Sequence, residues 1–161
     1  MEKYQELREK AKSTINKADH MLTMTYPLLN EPKILISVNN NILQAMEQAM
    51  TAILEYERLN KRIPAYHEDF ISKINIFRDK IIPRHGIDPK YLKLMIDLRE
   101  IMKAHEESPV EFTRKSKFVM ADKNYHLRTI TATDLKKQLI KAKLFIDETN
   151  NLTRENDRVF R

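Results

Sequence analysis

The sequence has 161 residues, no cysteine and a single glycine. Without cysteine there can be no disulfides and no thiolate metal sites, which fits a reducing compartment. One glycine argues against a hairpin-rich all-β fold, whose turns consume that residue. No apolar run reaches the ~18 residues of a membrane span. The charged start, MEKYQELREKAK, lacks the apolar core of a signal peptide. A cytoplasmic protein that stays off membranes is therefore expected.

Several chemical signatures are missing as well. No Glu-x-x-His occurs, which removes the di-metal carboxylate site that a helical bundle can host. His-Glu-x-x-His, a Gly-rich phosphate loop and a Gly-x-Ser-x-Gly elbow are also absent. His20, His67, His85, His105 and His126 stand singly, and each reads as a surface or locally hydrogen-bonded side chain. Neither a metal nor a cofactor is expected.

What is present is helical. From Pro32 to Arg62, apolar residues recur at Leu35, Val38, Ile42, Ala45, Ala49, Ile53 and Tyr56, at gaps of three or four. Met46, Met50 and Leu54 widen the stripe, as a helix with neighbours on two sides needs. The eight methionines read as core filler. Ala45, Ala49 and Ala52 allow close approach of another helix, within the core or across a homodimer interface.

A first helix is expected from Glu2 to Tyr26, ended by Pro27 and Pro32, with Asn30 or Glu31 capping the second. The long second helix should finish near Lys61. A third, Tyr66 to Ile82, carries Phe70, Ile74, Phe77 and Ile81 on one face and is closed by Pro83 and Gly86. Asp88-Pro89 starts a fourth that runs to His105 or Glu106. The β-branched and aromatic runs 117–121 and 125–130, around the turn-type trio Asp122-Lys123-Asn124, predict a β-hairpin. Thr131-Ala132-Thr133-Asp134 resembles a capping box before a fifth helix. The expected fold is mainly all-α: a single domain, 1–161, built as an up-and-down bundle of about five helices with one β-hairpin near 117–131. The tail, 150–161, either frays or prolongs the last helix.

The net charge of +6 is unevenly placed. Residues 113–143 hold Arg114, Lys115, Lys117, Lys123, Arg128, Lys136, Lys137, Lys141 and Lys143 against only Asp122 and Asp134. Such a segment can meet phosphates, or serve as a solvated face.

One constellation carries chemical content. In the fourth helix, LREIMKAHEESP separates Arg99 from His105 by five residues, with Glu100 directly after the arginine. A guanidinium that holds a phosphodiester and an imidazole that moves the 2′-hydroxyl proton suffice for metal-free RNA cleavage. The Arg-x5-His run, on a late helix of a bundle behind a long Ala/Met-rich helix, resembles the higher eukaryotes and prokaryotes nucleotide-binding (HEPN) family. That resemblance implies an all-α homodimer whose Arg-x4–6-His motif forms a ribonuclease site at the dimer cleft. Arg99 and His105 would match the motif, and Glu100 the polar position after the arginine, where Asn, Asp or His is commoner.

On an unbroken helix Arg99 and His105 point about 120° apart, so only a long reach or a dimer mate joins them. The alternative is structural: Arg99 pairs with Asp69 or another acid, and His105 sits at a helix C-terminus, where a cation is favoured. Three functions stay open: a HEPN-like ribonuclease, a non-catalytic nucleic-acid-binding bundle, and a protein-interaction bundle. For the second, Arg114, Lys115, Lys117, Arg128, Lys136, Lys137, Lys141 and Lys143 are the candidate phosphate contacts.

Overall fold

α3 (Ile34–Leu59) runs unbroken and is the post against which the other long helices pack. The computed structural model describes residues 1–157, with side chains to residue 154. α3 touches α1 (Lys3–His20), α6 (Lys90–Glu107) and α7 (Ala132–Asp157). Leu35, Val38, Ile42, Ala45, Met46, Met50 and Leu54 on it are all 0% exposed. These positions cover more than one face, as contact with three helices requires. Burial of each large aliphatic chain contributes about 1.5–3 kcal/mol.

Two of the prolines expected to stop helices, Pro27 and Pro83, are carried through. α1 continues by a π turn (Met21–Thr25) into α2 (Tyr26–Leu29), which contains Pro27. Likewise α4 (Phe70–Ile76) continues by a π turn (Phe77–Ile81) into α5 (Ile82–His85), which contains Pro83. In each case the residue before proline donates its N–H five positions back, Tyr26 to Met21 and Ile82 to Phe77. Proline lacks an N–H and crowds the carbonyl four residues earlier, and the wider turn makes room for its ring. Each segment then ends on a left-handed residue, Asn30 (φ 50°) or Gly86 (φ 66°), whose N–H returns to the carbonyl of Tyr26 or Ile82. Asn30 thus closes one helix instead of opening the next.

The third helical segment begins later than its hydrophobic pattern suggests. Asp69, not Tyr66, is its cap: Oδ2 accepts from the Ser72 N–H at 3.0 Å. Tyr66 lies in the preceding loop and donates to Glu55 Oε1 at 2.5 Å, pinning that loop to α3. Asp88 Oδ1 accepts from the Lys90 N–H at the start of α6, as its Asp-Pro signal predicts. α7 reaches Asp157, so residues 150–157 prolong the last helix; 158–161 lie outside the described residues. Thr153 is buried there and accepts from Arg8 Nη1 at 3.1 Å, joining the two ends of the chain.

The β region exceeds a hairpin. β1 (Val110–Arg114), β2 (Lys117–Ala121) and β3 (Leu127–Ile130) form an antiparallel sheet in that order. Phe112 pairs with Val119, which pairs with Thr129. Lys115 and Ser116 make the two-residue β1–β2 turn, both with positive φ (47° and 63°). The Tyr26 hydroxyl donates to the Ser116 carbonyl at 3.3 Å and anchors this turn to the end of the α1–α2 segment. Asp122 Oδ1 accepts from the N–H groups of Asn124 and His126, both at 2.8 Å, closing the β2–β3 loop. Phe118, Met120 and Ile130 face the core. Strand alternation sends Val110, Phe112, Val119, Leu127 and Thr129 to the other face.

Candidate nucleic-acid interface

Arg99 and His105 share α6 but turn to different neighbours. The Arg99 guanidinium lies 4.5 Å from the Phe70 ring centroid, beside α4, and its buried Nε has no hydrogen-bond partner among the described residues. Arg99 therefore stacks on the residue after Asp69, while Asp69 caps α4. Burial pushes the Glu47 carboxyl up, and the charges of Arg99 and Lys73 pull it back. His105 faces the sheet: its Nδ1 is 2.6 Å from Glu111 Oε1, and its ring meets Phe118 edge-on at 6.2 Å. Glu100 also turns to the sheet, where its Oε2 accepts from Arg128 Nη2 at 3.4 Å. The offset between Arg99 and His105 persists in the folded chain.

The basic residues divide into engaged and available. Lys143 is committed to Asp19 at 2.6 Å, bridging α7 and α1, and Arg128 is held by Glu100. Arg114, Lys115, Lys117, Lys136, Lys137 and Lys141 are exposed and make no ion pair among the described residues. Three of them surround the β1–β2 turn. On the outer face of the sheet lies a hollow of about 320 Å³. Phe112, Val119 and Leu127 form its apolar floor, and Arg114, Lys115 and Lys117 its rim. Phe112 is 40% exposed, beside three cations with no ion pair among the described residues.

Two further depressions meet this hollow at β3. Leu127 also lines a groove of about 570 Å³ between α6 and the β2–β3 loop. Thr129 also lines a smaller one against α7, of about 220 Å³, with Lys137 and Lys141 on its wall.

Spacing along the chain did not reveal the tightest charge cluster. Glu57, fully buried on α3, accepts from Arg62 Nη1 at 3.3 Å and Arg84 Nη1 at 3.2 Å, and His85 Nε2 lies 2.5 Å from its other oxygen. Glu57 falls four residues after Ile53, on the apolar stripe of α3. A carboxylate in that register was the readable sign that cations had to converge on it.

Among the described residues no cluster of His, Asp or Glu is arranged to hold a metal, and no helix is long and apolar enough to cross a membrane. Compared with protein families, with curated proteins and with solved structures, the chain matches none.

Proposed function

We propose that this protein binds single-stranded RNA through the outer face of its sheet. The observation that carries this reading is the hollow with an apolar, Phe112-bearing floor and a rim of Arg114, Lys115 and Lys117. Exposed aromatic rings accept stacked bases, and neighbouring cations hold the phosphates between them. Lys137 and Lys141, beyond Thr129, extend the positive path along α7. Arg128 and Lys143 hold protein carboxylates and contribute less.

The test is fluorescence anisotropy of a labelled RNA 12-mer across a salt series in EDTA. Each phosphate contact on a single strand contributes about 0.7 to the slope of log K against log salt, so Ala at 114, 115 and 117 together lowers it by about two. Affinity that ignores salt, or a slope that survives the triple substitution, overturns the reading.

A second reading is cleavage of the bound RNA, as the HEPN resemblance implies. It is favoured by the carboxylate on His105 Nδ1, which leaves Nε2 available for proton transfer. Arg99 stacks elsewhere in the same chain, so this chemistry requires a homodimer that brings one copy's Arg99 to the other's His105. Incubation with RNA in EDTA tests it: the parent cleaves, and Arg99→Ala and His105→Ala each lose activity. Equal cleavage by all three, or by none, removes it.

A further inference from the structure

The groove between α6 and the β2–β3 loop is the largest concavity described above, and the sheet hollow leaves it unused. Its lining residues are mostly polar, with Ala104 on α6 and Met120, Ala121 and Leu127 on the sheet as the apolar members. Its volume of about 570 Å³ lies within the range of small-ligand sites. Leu127, 64% exposed, lines both this groove and the outer hollow. A strand lying on the outer face therefore passes the mouth of the groove as it crosses the edge strand β3.

We infer that this groove receives one unstacked guanine of the bound strand, read by the Glu100–Arg128 pair; the inference rests on the RNA-binding reading above. Glu100 and Arg128 both line the groove, and their 3.4 Å contact places an acceptor beside a donor. Guanine presents that pattern in complement along one edge, with O6 accepting and N1–H and N2–H2 donating. The Glu100 carboxylate takes the two N–H groups, and a further Arg128 N–H reaches O6. Uracil offers a carboxylate only one N–H on that edge, and adenine and cytosine only an amino group. Lys103 on α6 and Lys123 in the β2–β3 loop also line the groove and supply the cations for the flanking phosphates. Asp122 does not compete, because its carboxylate is engaged by the Asn124 and His126 N–H groups and the His126 ring.

The experiment compares two labelled RNA 12-mers, all-uridine and the same strand with one central guanosine, binding to the full chain by anisotropy. A good two-point base contact is worth a factor of about ten, so the guanosine strand binds about tenfold tighter. Glu100→Gln replaces one carboxylate oxygen with an N–H2 and brings the ratio to about one. Loss of a negative charge strengthens binding of every strand, so the ratio is read and not the affinity. Ala104→Trp fills the groove and also abolishes the ratio; circular dichroism verifies that both variants are folded.

Salt-dependent binding with no guanosine preference overturns this inference and leaves the RNA-binding reading standing. A preference that persists in both variants overturns it too. Occupancy by free guanosine monophosphate with no preference among strands would mark a mononucleotide site instead. Failure of the parent protein to bind either strand overturns both readings together.

Discussion

Two places in the molecule bring arginine and histidine into play, and they are opposites. At Glu57, Arg62, Arg84 and His85 arrive from the ends of two helical segments and converge on one buried carboxylate. On α6, Arg99 and His105 are close in sequence and share a helix, yet one stacks on Phe70 while the other binds Glu111. Convergence follows packing, and linear spacing alone does not produce it. The Glu57 cluster is also tied to chain direction, because Arg84 and His85 lie in the last turn of a helical segment, where cations are favoured, and Arg62 lies in the turn just past α3. The Arg99 and His105 side chains answer to local partners on α4 and the sheet.

The contrast can be broken most forcefully at Glu57. Replacing it with Ala leaves Arg62, Arg84 and His85 without their shared acceptor. Both arginines remain about 40% exposed to water, so the expected loss is about 1.5–3 kcal/mol, read by urea unfolding. A loss well below that would make the cluster a surface feature. Next comes Gly86, which holds the left-handed turn directly after His85. A Cβ there meets no atom within 4 Å, so Gly86→Ala suffers only from the backbone, by about 1–2 kcal/mol. Gly86→Asn should recover most of that loss, because Asn30 fills the matching position in the first segment.

The α6 side is sharpened by pH. Hydrogen bonds from Ser72 hold the Asp69 carboxyl below its usual range. A carboxyl with a depressed folded-state pKa adds stability above its unfolded value of 3.8 and loses it as pH falls through the folded one. Asp69→Ala should therefore lower the melting temperature at pH 7 and matter progressively less below pH ~4. Loss of equal size at both ends of that range would remove the carboxylate from the cap.

Glu47 carries the opposite sign, because burial raises its pKa. A raised carboxyl binds its proton more tightly when folded, so it weakens the fold as pH rises through that interval. Glu47→Gln should give a small gain at pH 7 and none at pH ~4, and Arg99→Met should enlarge the gain. No dependence on Arg99 would mean that the two charges do not sense each other.

The long helix was legible because seven apolar positions keep one period without a break. The end of the first helix and the third segment were read less well, since proline usually stops a helix and π turns leave no compositional trace. β1 was missed for a different reason. Its alternation is real, but Val110 and Phe112 face outward, so the apolar positions do not mark a core. Its turn is Lys115-Ser116, without the Asn or Gly that positive φ normally selects. In the candidate site, Arg114, Lys115 and Lys117 could be read as a basic segment, but their meeting with Phe112 required the unseen strand. Glu100 drew attention as the neighbour of Arg99, whereas its place in the fold is opposite Arg128.

The bond from the Tyr26 hydroxyl to the Ser116 carbonyl has a thermodynamic consequence. At the opposite end of the sheet, the Ser108 hydroxyl is shared between the carbonyls of Val110 at 2.7 Å and Ala121 at 2.8 Å. With both ends moored, the three cations at the tip ride on a backbone already restrained before any ligand arrives. Ligand capture there mainly orders lysine and arginine rotamers, so its entropic penalty should stay near that of the side chains alone.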